Sequence, residues 1–183
     1  MKLLVNSTTT SLWHQIIHEA EAACETPLKE EVESYLVFLM IRYTTRPEIA
    51  AHIMASDFLR GLELLPNQRQ LVLQEVGDKC LLFSGLFPDM ADKRMVKVSY
   101  FVNLGQSSYA NLSKSSNDLY GLLANQFVSL MDILQSMRQY SEQHPDLLPI
   151  QAYDLWMETG SKRALSILKS YTQATPINLN VKK

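Results

Sequence analysis

Apolar residues at helical spacing run through most of this chain, and they constrain its fold more than any other feature. In the clearest run, six apolar residues follow one another at spacings of 4, 4, 3, 4 and 3, which places them on one helical face. They are Leu119, Leu123, Phe127, Leu130, Leu134 and Met137. We predict one long helix over residues 116–143, capped by Ser115 or Ser116, with this stripe against a core.

Helix start and stop signals divide much of the remaining chain. Thr26 can cap a helix that Pro27 opens, because the first helical turn does not use the N–H that proline lacks. Gly160 followed by Ser161 predicts a helix end and then a new N-cap, and Gly85 is expected to close the helix before it. The helices expected on these grounds cover residues 11–23, 27–43, 49–65 and 68–83, with a short helix from 149 and a last one from 161.

The segment 95–102 admits two interpretations. Its residues could alternate as a strand, but a single strand without a partner would leave its backbone groups unpaired, so we favour a helix. In that helix one stripe consists of Phe101, Gly105, Ser108 and Leu112. Its two small members would allow a neighbouring helix to approach closely.

Composition narrows the fold class. An apolar content of 46% with a net charge of −2 is typical of a folded domain, and 6 glycines with 7 prolines in 183 residues are few for an all-β protein. We predict an all-α protein, a single-domain bundle of about seven or eight helices. We expect the domain over residues 1–176 and a loose tail at 177–183. The apolar run 35–41 marks the second helix, with the helix at 116–143, as a central element.

The sequence predicts neither export nor membrane insertion. The apolar residues after Lys2 stop at Asn6, too few for a signal-peptide core. The seven-residue run at 35–41 is far shorter than the roughly 20 residues of a membrane-spanning helix. Cys24 and Cys80 have no CxxC spacing, which favours a reducing compartment. We predict a cytoplasmic protein with no membrane partner.

Charge is uneven along the chain. Residues 1–33 hold six glutamates against two lysines, whereas residues 161–183 hold five basic residues and no acid. A nucleic-acid-binding domain usually has a dense basic stripe and a pI well above the 6.1 of this chain. We predict no nucleic-acid partner, and we interpret the two charged ends as solvated surfaces that attract each other weakly, within the fold or between subunits.

His14 and His18 are four residues apart, the spacing at which two imidazoles on one helix can share a metal. A site needs at least one more ligand, and the nominal candidates are Glu19, Glu21 and His52. Gln15 stands where the zinc-protease motif has its glutamate. We predict no metal site and no cofactor, with both histidines on a polar face.

The chain has no motif for an activated nucleophile. Neither Gly-x-Ser-x-Gly nor a glycine-rich phosphate loop occurs in it. Cys80 falls on the apolar face of its helix, where burial raises the pKa of a thiol. Cys24 stands beside Glu25 without the positive field that activates a cysteine. We predict that both thiols are unreactive.

Acidic pairs and one polar cluster are the remaining candidates for a site. Glu75 with Asp78, and Asp89 with Asp92, are close enough for one carboxylate to raise the pKa of the other, although exposed acids are usually solvated. Hydrogen-bonding side chains crowd around Gly105, namely Tyr100, Asn103, Gln106, Ser107 and Tyr109. They either border a pocket and orient a ligand, or form a wet helix face with two half-buried tyrosines. Our candidate ligand-binding residues are Asp78, Tyr100, Asn103 and Tyr109.

One stretch carries a longer pattern. It consists of Gly77-Asp78-Lys79-Cys80-Leu81-Leu82-Phe83-Ser84-Gly85-Leu86-Phe87-Pro88, then Val98-Ser99-Tyr100-Phe101, Leu104-Gly105 and Tyr109. Over roughly residues 66 to 137 the chain resembles a group of helical proteobacterial proteins with no assigned activity. The resemblance implies an all-α cytosolic bacterial protein and no catalytic role. The positions that it marks as shared are Gly77, Asp78, Gly85, Tyr100, Gly105 and Tyr109.

These patterns favour a non-enzymatic helical binding or protein-interaction domain of unknown ligand. A homodimer or another protein partner is expected, because Leu86 and Phe87 fall at a predicted loop and would extend a contact surface. The alternative is a small enzyme or small-molecule-binding bundle with a pocket near Asp78, Tyr100 and Tyr109. That alternative requires the candidate ligand-binding residues to converge in one cavity.

Overall fold

The computed structural model describes residues 2–46, 55–88, 91, 96–139 and 147–172, with side chains described from residue 9. Within these ranges the chain forms nine helices and no strand. They are α1 (Lys2–Ala23), α2 (Glu30–Thr45), α3 (Ala55–Glu63), α4 (Pro66–Leu86), α5 (Val98–Leu112), α6 (Leu119–Asn125), α7 (Phe127–Gln139), α8 (Pro149–Thr159) and α9 (Lys162–Tyr171). The all-α prediction is confirmed, and the predicted count of seven or eight helices is too low.

The centre of the core lies between α4 and α7. Every residue of α4 from 76 to 85 is buried except Lys79, and every residue of α7 from 130 to 137 is buried. Helix α5 packs on α4, while α1 and α9 pack on α7. The resulting hydrophobic cluster includes side chains from Ile17 in α1 to Leu168 in α9.

The second helix is less central than predicted. Helix α2 packs on α1 and α6. Phe38, in the middle of the apolar run, is 65% exposed. A segment that is apolar on every side of its helix therefore does not predict how many other helices pack around it.

The predicted long helix over residues 116–143 is divided in two. Helices α6 and α7 are separated by Gln126, whose N–H bonds to the carbonyls of Leu122 and Ala124. The N-cap is Asp118, which accepts from the N–H of Gly121, and neither Ser115 nor Ser116. The apolar stripe continues across the break, because Leu123, Phe127, Leu130, Leu134 and Met137 are all buried. Residues 140–143 lie outside the described ranges.

Several local signals are confirmed. Pro149 occupies the first turn of α8 as predicted. Pro66 opens α4 two residues before the predicted start, and the start predicted at Thr26 and Pro27 is wrong, because α2 begins at Glu30 with Lys29 as its N-cap. Gly160 ends α8 with a φ of 73°, in the left-handed region that glycine favours. Ser161 then caps α9, its Oγ accepting from the N–H of Ala164 over 3.0 Å. The segment from Val98 is helical as favoured, which excludes the strand over residues 98–102.

Glycine allows α4 and α5 to pack closely, as predicted from the small residues of α5. A Cβ on Gly105 would lie 2.4 Å from Cε2 of Phe127 and 2.9 Å from Cβ of Cys80. Gly85, predicted as a helix end, lies inside α4, and its Cβ would lie 2.5 Å from Cβ of Leu134. Gly85 therefore permits a helix contact and does not terminate the helix.

The predicted contact surface at Leu86 and Phe87 is only partly exposed. The ring of Phe87 packs edge-on against Tyr43 at 5.8 Å and against Phe83 at 6.4 Å, and Leu86 packs against the core. Both apolar side chains are therefore already used within the fold. Leu65, predicted as the last residue of the third helix, is instead the N-cap of α4 and is 73% exposed.

Some predictions lie outside the described residues, among them the start of the helix at 49–65 and the tail at 177–183. No helix in the described part of the chain is long and apolar enough to cross a lipid bilayer.

Candidate functional site

Asp78 is the centre of a polar cluster inside the protein. It lies in the buried half of α4 and is 1% exposed. Its Oδ1 accepts from the hydroxyls of Tyr35, over 2.5 Å, and Tyr109, over 2.7 Å. Its Oδ2 accepts from Nη2 of Arg42. Tyr35 and Arg42 reach the same carboxylate because seven residues make about two helical turns, which places both on one face of α2.

A second layer of hydrogen bonds extends the Asp78 cluster to α6. Gln74, one turn before Asp78, donates from Nε2 to the Tyr35 hydroxyl over 3.2 Å and accepts at Oε1 from Tyr120 over 3.0 Å. The ring of Tyr109 stacks on Tyr120 at 6.3 Å and meets Tyr35 edge-on at 6.3 Å. The cluster therefore ties α2, α4, α5 and α6 together.

The electrostatics of the cluster favour a structural role. Burial raises the pKa of Asp78, and Arg42 and the two hydroxyls oppose that shift. Burial also works to lower the pKa of Arg42, but the facing carboxylate outweighs it and the pKa is raised. Burial and the Asp78 charge raise the pKa values of Tyr35 and Tyr109, so both hydroxyls keep their protons at neutral pH. Both carboxylate oxygens have donors in place, which leaves them poorly available to a substrate.

The structure brings together two of the four predicted ligand-binding residues. Asp78 and Tyr109 share a hydrogen bond, whereas Tyr100 is 41% exposed and Asn103 is also exposed. Tyr100 precedes Tyr109 by nine residues, about two and a half turns, so the two tyrosines lie on opposite faces of α5. Asp78 itself is not the solvated acid that the sequence suggested, and its neighbour Glu75 is exposed and pairs with Lys79 instead.

Sequence reasoning missed four other members of the Asp78 cluster. They are Tyr35, Arg42, Gln74 and Tyr120. Tyr35 and Arg42 did leave a signal, because they begin and follow the most apolar run of the chain at a spacing that shares one helical face.

A second polar region opens where the end of α1, the end of α7 and the start of α9 meet. We call it the polar cleft; its volume is about 540 Å³. It is lined by Ala23, Cys24, Glu25, Asp132, Ser136, Gln139, Lys162, Arg163, Ser166, Ile167 and Ser170. Asp132 and Ser136 are buried, while Glu25, Lys162, Ser166 and Ser170 are exposed.

Asp132 fixes the start of α9 beside the polar cleft. Its Oδ1 accepts from Oγ of Ser161 over 2.6 Å, and its Oδ2 accepts from the N–H of Arg163 over 3.3 Å. Burial raises the pKa of Asp132, and the bonds from Ser161 and Arg163 oppose the shift. Asp132 therefore already occupies the positive N-terminal end of α9, where an anion from solution would otherwise bind.

Both cysteines are free thiols held away from reactivity. Burial raises the pKa of Cys80, which is fully buried. Burial also raises the pKa of Cys24, whose Sγ donates to the carbonyl of Asp132 over 3.6 Å. Arg163 supplies a positive charge near Cys24, which the sequence did not reveal, but that charge does not overcome burial.

The histidines pair with glutamates. Nδ1 of His14 lies 3.0 Å from Oε1 of Glu33, and Nδ1 of His18 lies 3.8 Å from Oε2 of Glu21. Within the described residues no three histidine, cysteine or acidic side chains are grouped so as to hold a metal ion. His52, Asp89 and Asp92 lie outside those residues.

The fold and these two regions define a protein that is all-helical over its described residues, with a polar cluster around the buried Asp78 and an open polar cleft at its surface. Comparisons with protein-family models, with curated proteins and with solved structures find no match for the chain.

Proposed function

We propose that this chain is a non-enzymatic helical binding protein that holds a small polar ligand in the polar cleft. The observation that carries the proposal is the construction of the cleft, whose lining combines buried polar groups with charged side chains of both signs. Its volume of about 540 Å³ falls within the roughly 300–1,000 Å³ of small-molecule sites. Asp132 and Ser136 form a fixed polar wall, and Lys162 stands at the start of α9.

The non-enzymatic part rests on where the reactive groups stand. A general acid or base works best when its pKa is close to the operating pH and it can touch the substrate. Tyr35 and Tyr109 are bound to Asp78 with raised pKa values, and Cys80 is fully buried. At neutral pH these side chains are therefore suited to stabilising the fold and not to acid–base or nucleophilic catalysis.

A thermal-shift screen against small polar metabolites tests the proposal. A ligand present at about 100 times its dissociation constant should add about 2.7 kcal/mol to the free energy of unfolding. Lys162→Glu should reduce that stabilisation to about 1.4 kcal/mol or less, as a tenfold loss of affinity requires. A glutamate in the first turn of α9 is itself compatible with the helix dipole. The matched control is Lys169→Glu, on the same helix at an exposed position outside the cleft. A ligand that stabilises wild type and Lys162→Glu equally would place its site elsewhere and overturn the proposal.

Self-association is a second candidate function, favoured by three exposed leucines near the junction of α3 and α4. Leu59, Leu65 and Leu71 are 61%, 73% and 70% exposed. In a twofold-symmetric dimer the same patch of each chain contacts its own copy, which uncharged side chains tolerate without repulsion. We therefore propose a second copy of this chain as the partner. Sedimentation equilibrium should then give twice the 20.9 kDa of one chain, and Leu71→Asp should restore the single mass. A single-chain mass for wild type at micromolar concentration would contradict a dimer.

Three further features belong to the proposal. We propose a single domain, because one hydrophobic cluster includes residues from α1 to α9. We also propose a reducing compartment such as the cytoplasm, because both cysteines are free thiols. The resemblance to helical proteobacterial proteins stays a prediction. A single domain should unfold in one transition whose calorimetric and van't Hoff enthalpies agree.

A further inference from the structure

We propose that the polar cleft selects a zwitterion, a small molecule that carries an ammonium group and a carboxylate, such as a free amino acid or a short peptide. This inference rests on the proposed function, because it names the ligand class of the same site. Three features of the cleft support it: a positive wall, a negative wall, and a balance of charge that disfavours a ligand of one sign.

The positive wall is the first half of α9. Lys162 and Arg163 open the helix, and Ser166 follows one turn later on the cleft side. Because Asp132 already accepts from the backbone of this helix start, a ligand carboxylate would be held by the side chains of Lys162 and Arg163 and the hydroxyl of Ser166.

The negative wall is the end of α1. Glu25 follows the last turn of α1 and carries an exposed carboxylate. The partial negative charge at the carboxyl end of a helix adds to it within the last turn. The hydroxyl of Ser170 already donates to the carbonyl of Ile167 over 2.6 Å, so its oxygen is left as an acceptor on the cleft side. An ammonium group fits this combination of acceptors.

The charge balance argues against a ligand of one sign. Two basic side chains, Lys162 and Arg163, and two acidic ones, Glu25 and Asp132, line the same cavity. A lone phosphate would approach two carboxylates, and a lone amine would approach two cations. A zwitterion can place each charge beside its opposite, which improves both attractions at once.

The test is isothermal titration of the full-length chain with matched probes. The panel contains the common amino acids and unprotected dipeptides, and the best binder is then compared with its N-acetyl derivative, an anion, and its amide, a cation. Each derivative should bind at least about tenfold more weakly than the zwitterion, a difference of about 1.4 kcal/mol or more. Inorganic phosphate alone should bind more weakly still.

Variants assign the two ends of the ligand. Lys162→Glu should lower the affinity for the zwitterion at least about tenfold, and Lys169→Glu should leave that affinity unchanged. Glu25→Gln should weaken binding of the zwitterion. It should leave binding of the N-acetyl derivative almost unchanged, because that derivative has no ammonium group. This pattern is one that a merely structural role of Glu25 would not produce.

The outcomes separate the two proposals. If the N-acetyl derivative or phosphate binds as tightly as the zwitterion, the cleft is an anion site, so the zwitterion inference fails while the binding function stands. The same holds if another metabolite binds in a Lys162-dependent way but no zwitterion does. If no compound binds in a Lys162-dependent way, both proposals fail.

Discussion

The Tyr109 hydroxyl donates to Oδ1 of Asp78 over 2.7 Å, inside a core where neither residue is more than 1% exposed. A buried carboxylate is costly unless donors surround it, and Tyr109 is one of the three donors that Asp78 has. The contact joins α4 to α5, the two helices that build one side of the core. The stability of the fold should therefore depend on this pair more than on any surface ion pair.

Asp78→Ala should lower the free energy of unfolding by roughly 2–4 kcal/mol. The substitution leaves the buried hydroxyl of Tyr109 without its acceptor, at about 1–3 kcal/mol, and removes the partner of Arg42, whose own exposure of 43% lets water share its charge. Urea denaturation followed by circular dichroism measures the change. The matched control is Asp57→Ala, which breaks the exposed pair with Arg60 and should cost at most about 1 kcal/mol. Equal losses in the two variants would refute the special role of Asp78.

Gly77→Ala should destabilise the protein by about 1–3 kcal/mol, although alanine is the better helix former by about 1 kcal/mol. A Cβ at residue 77 would lie 2.5 Å from Cε1 of Tyr109, so the ring must move away from Asp78. The same urea experiment applies, with Gly77→Ala in a Tyr109→Leu background as the control, because the smaller side chain should relieve the clash. A Gly77→Ala variant more stable than the wild type would contradict the close packing of Tyr109 against Gly77.

Glu21→Gln should change how stability depends on pH. Burial, together with the charge of Glu33, raises the pKa of Glu21 above its ordinary value of 4.5, with His18 opposing the shift. The folded state therefore prefers protonated Glu21, and the stability that this preference gives is present below pH 4.5 and is lost as pH rises through the folded pKa. Glutamine keeps the acceptor for the Leu28 N–H and removes the buried charge.

Relative to wild type, the Glu21→Gln variant should therefore gain stability between about pH 4 and pH 7. Urea denaturation of both proteins at about pH 4 and about pH 7 measures this gain in the free energy of unfolding. Glu31→Gln, exposed on α2, serves as control and should show no such trend. A stability difference between Glu21→Gln and wild type that is the same at both pH values would contradict the raised pKa of Glu21.

The thiols should react slowly in the native protein. Burial raises the pKa of both Cys24 and Cys80, so little thiolate is present at neutral pH. With Ellman's reagent we expect no rapid release, a slow phase that Cys24→Ser removes, and reaction of Cys80 only when the protein unfolds. Rapid release of two equivalents from folded protein would show that the thiols are accessible.

Local signals predict some helix ends and not others: the end at Gly160 and the cap at Ser161 are confirmed, whereas the caps expected at Thr26 and at Ser115 or Ser116 are wrong. Gly160 and Ser161 end one helix and cap the next through contacts within a few residues. The break at Gln126 was missed because the apolar stripe keeps its spacing across it, and one irregular residue leaves no mark in that pattern.

The candidate site depended on contacts that periodicity does not encode. Asp78 lies on the polar side of its predicted helix, and only the packing of α2 and α5 over that side turns it into a buried residue. The polar cleft joins residues more than 100 positions apart, from Cys24 to Ser170, so no local motif could indicate it.

Calorimetric titration can show directly which of the two polar regions binds the ligand. The compound that stabilises the wild type most in the metabolite screen is titrated calorimetrically into wild type, Lys162→Glu and Tyr35→Phe. We predict a dissociation constant at least about tenfold higher for Lys162→Glu and an unchanged one for Tyr35→Phe, which alters only the Asp78 cluster. Weaker binding by Tyr35→Phe together with unchanged binding by Lys162→Glu would place the site at Asp78 and rule out the polar cleft.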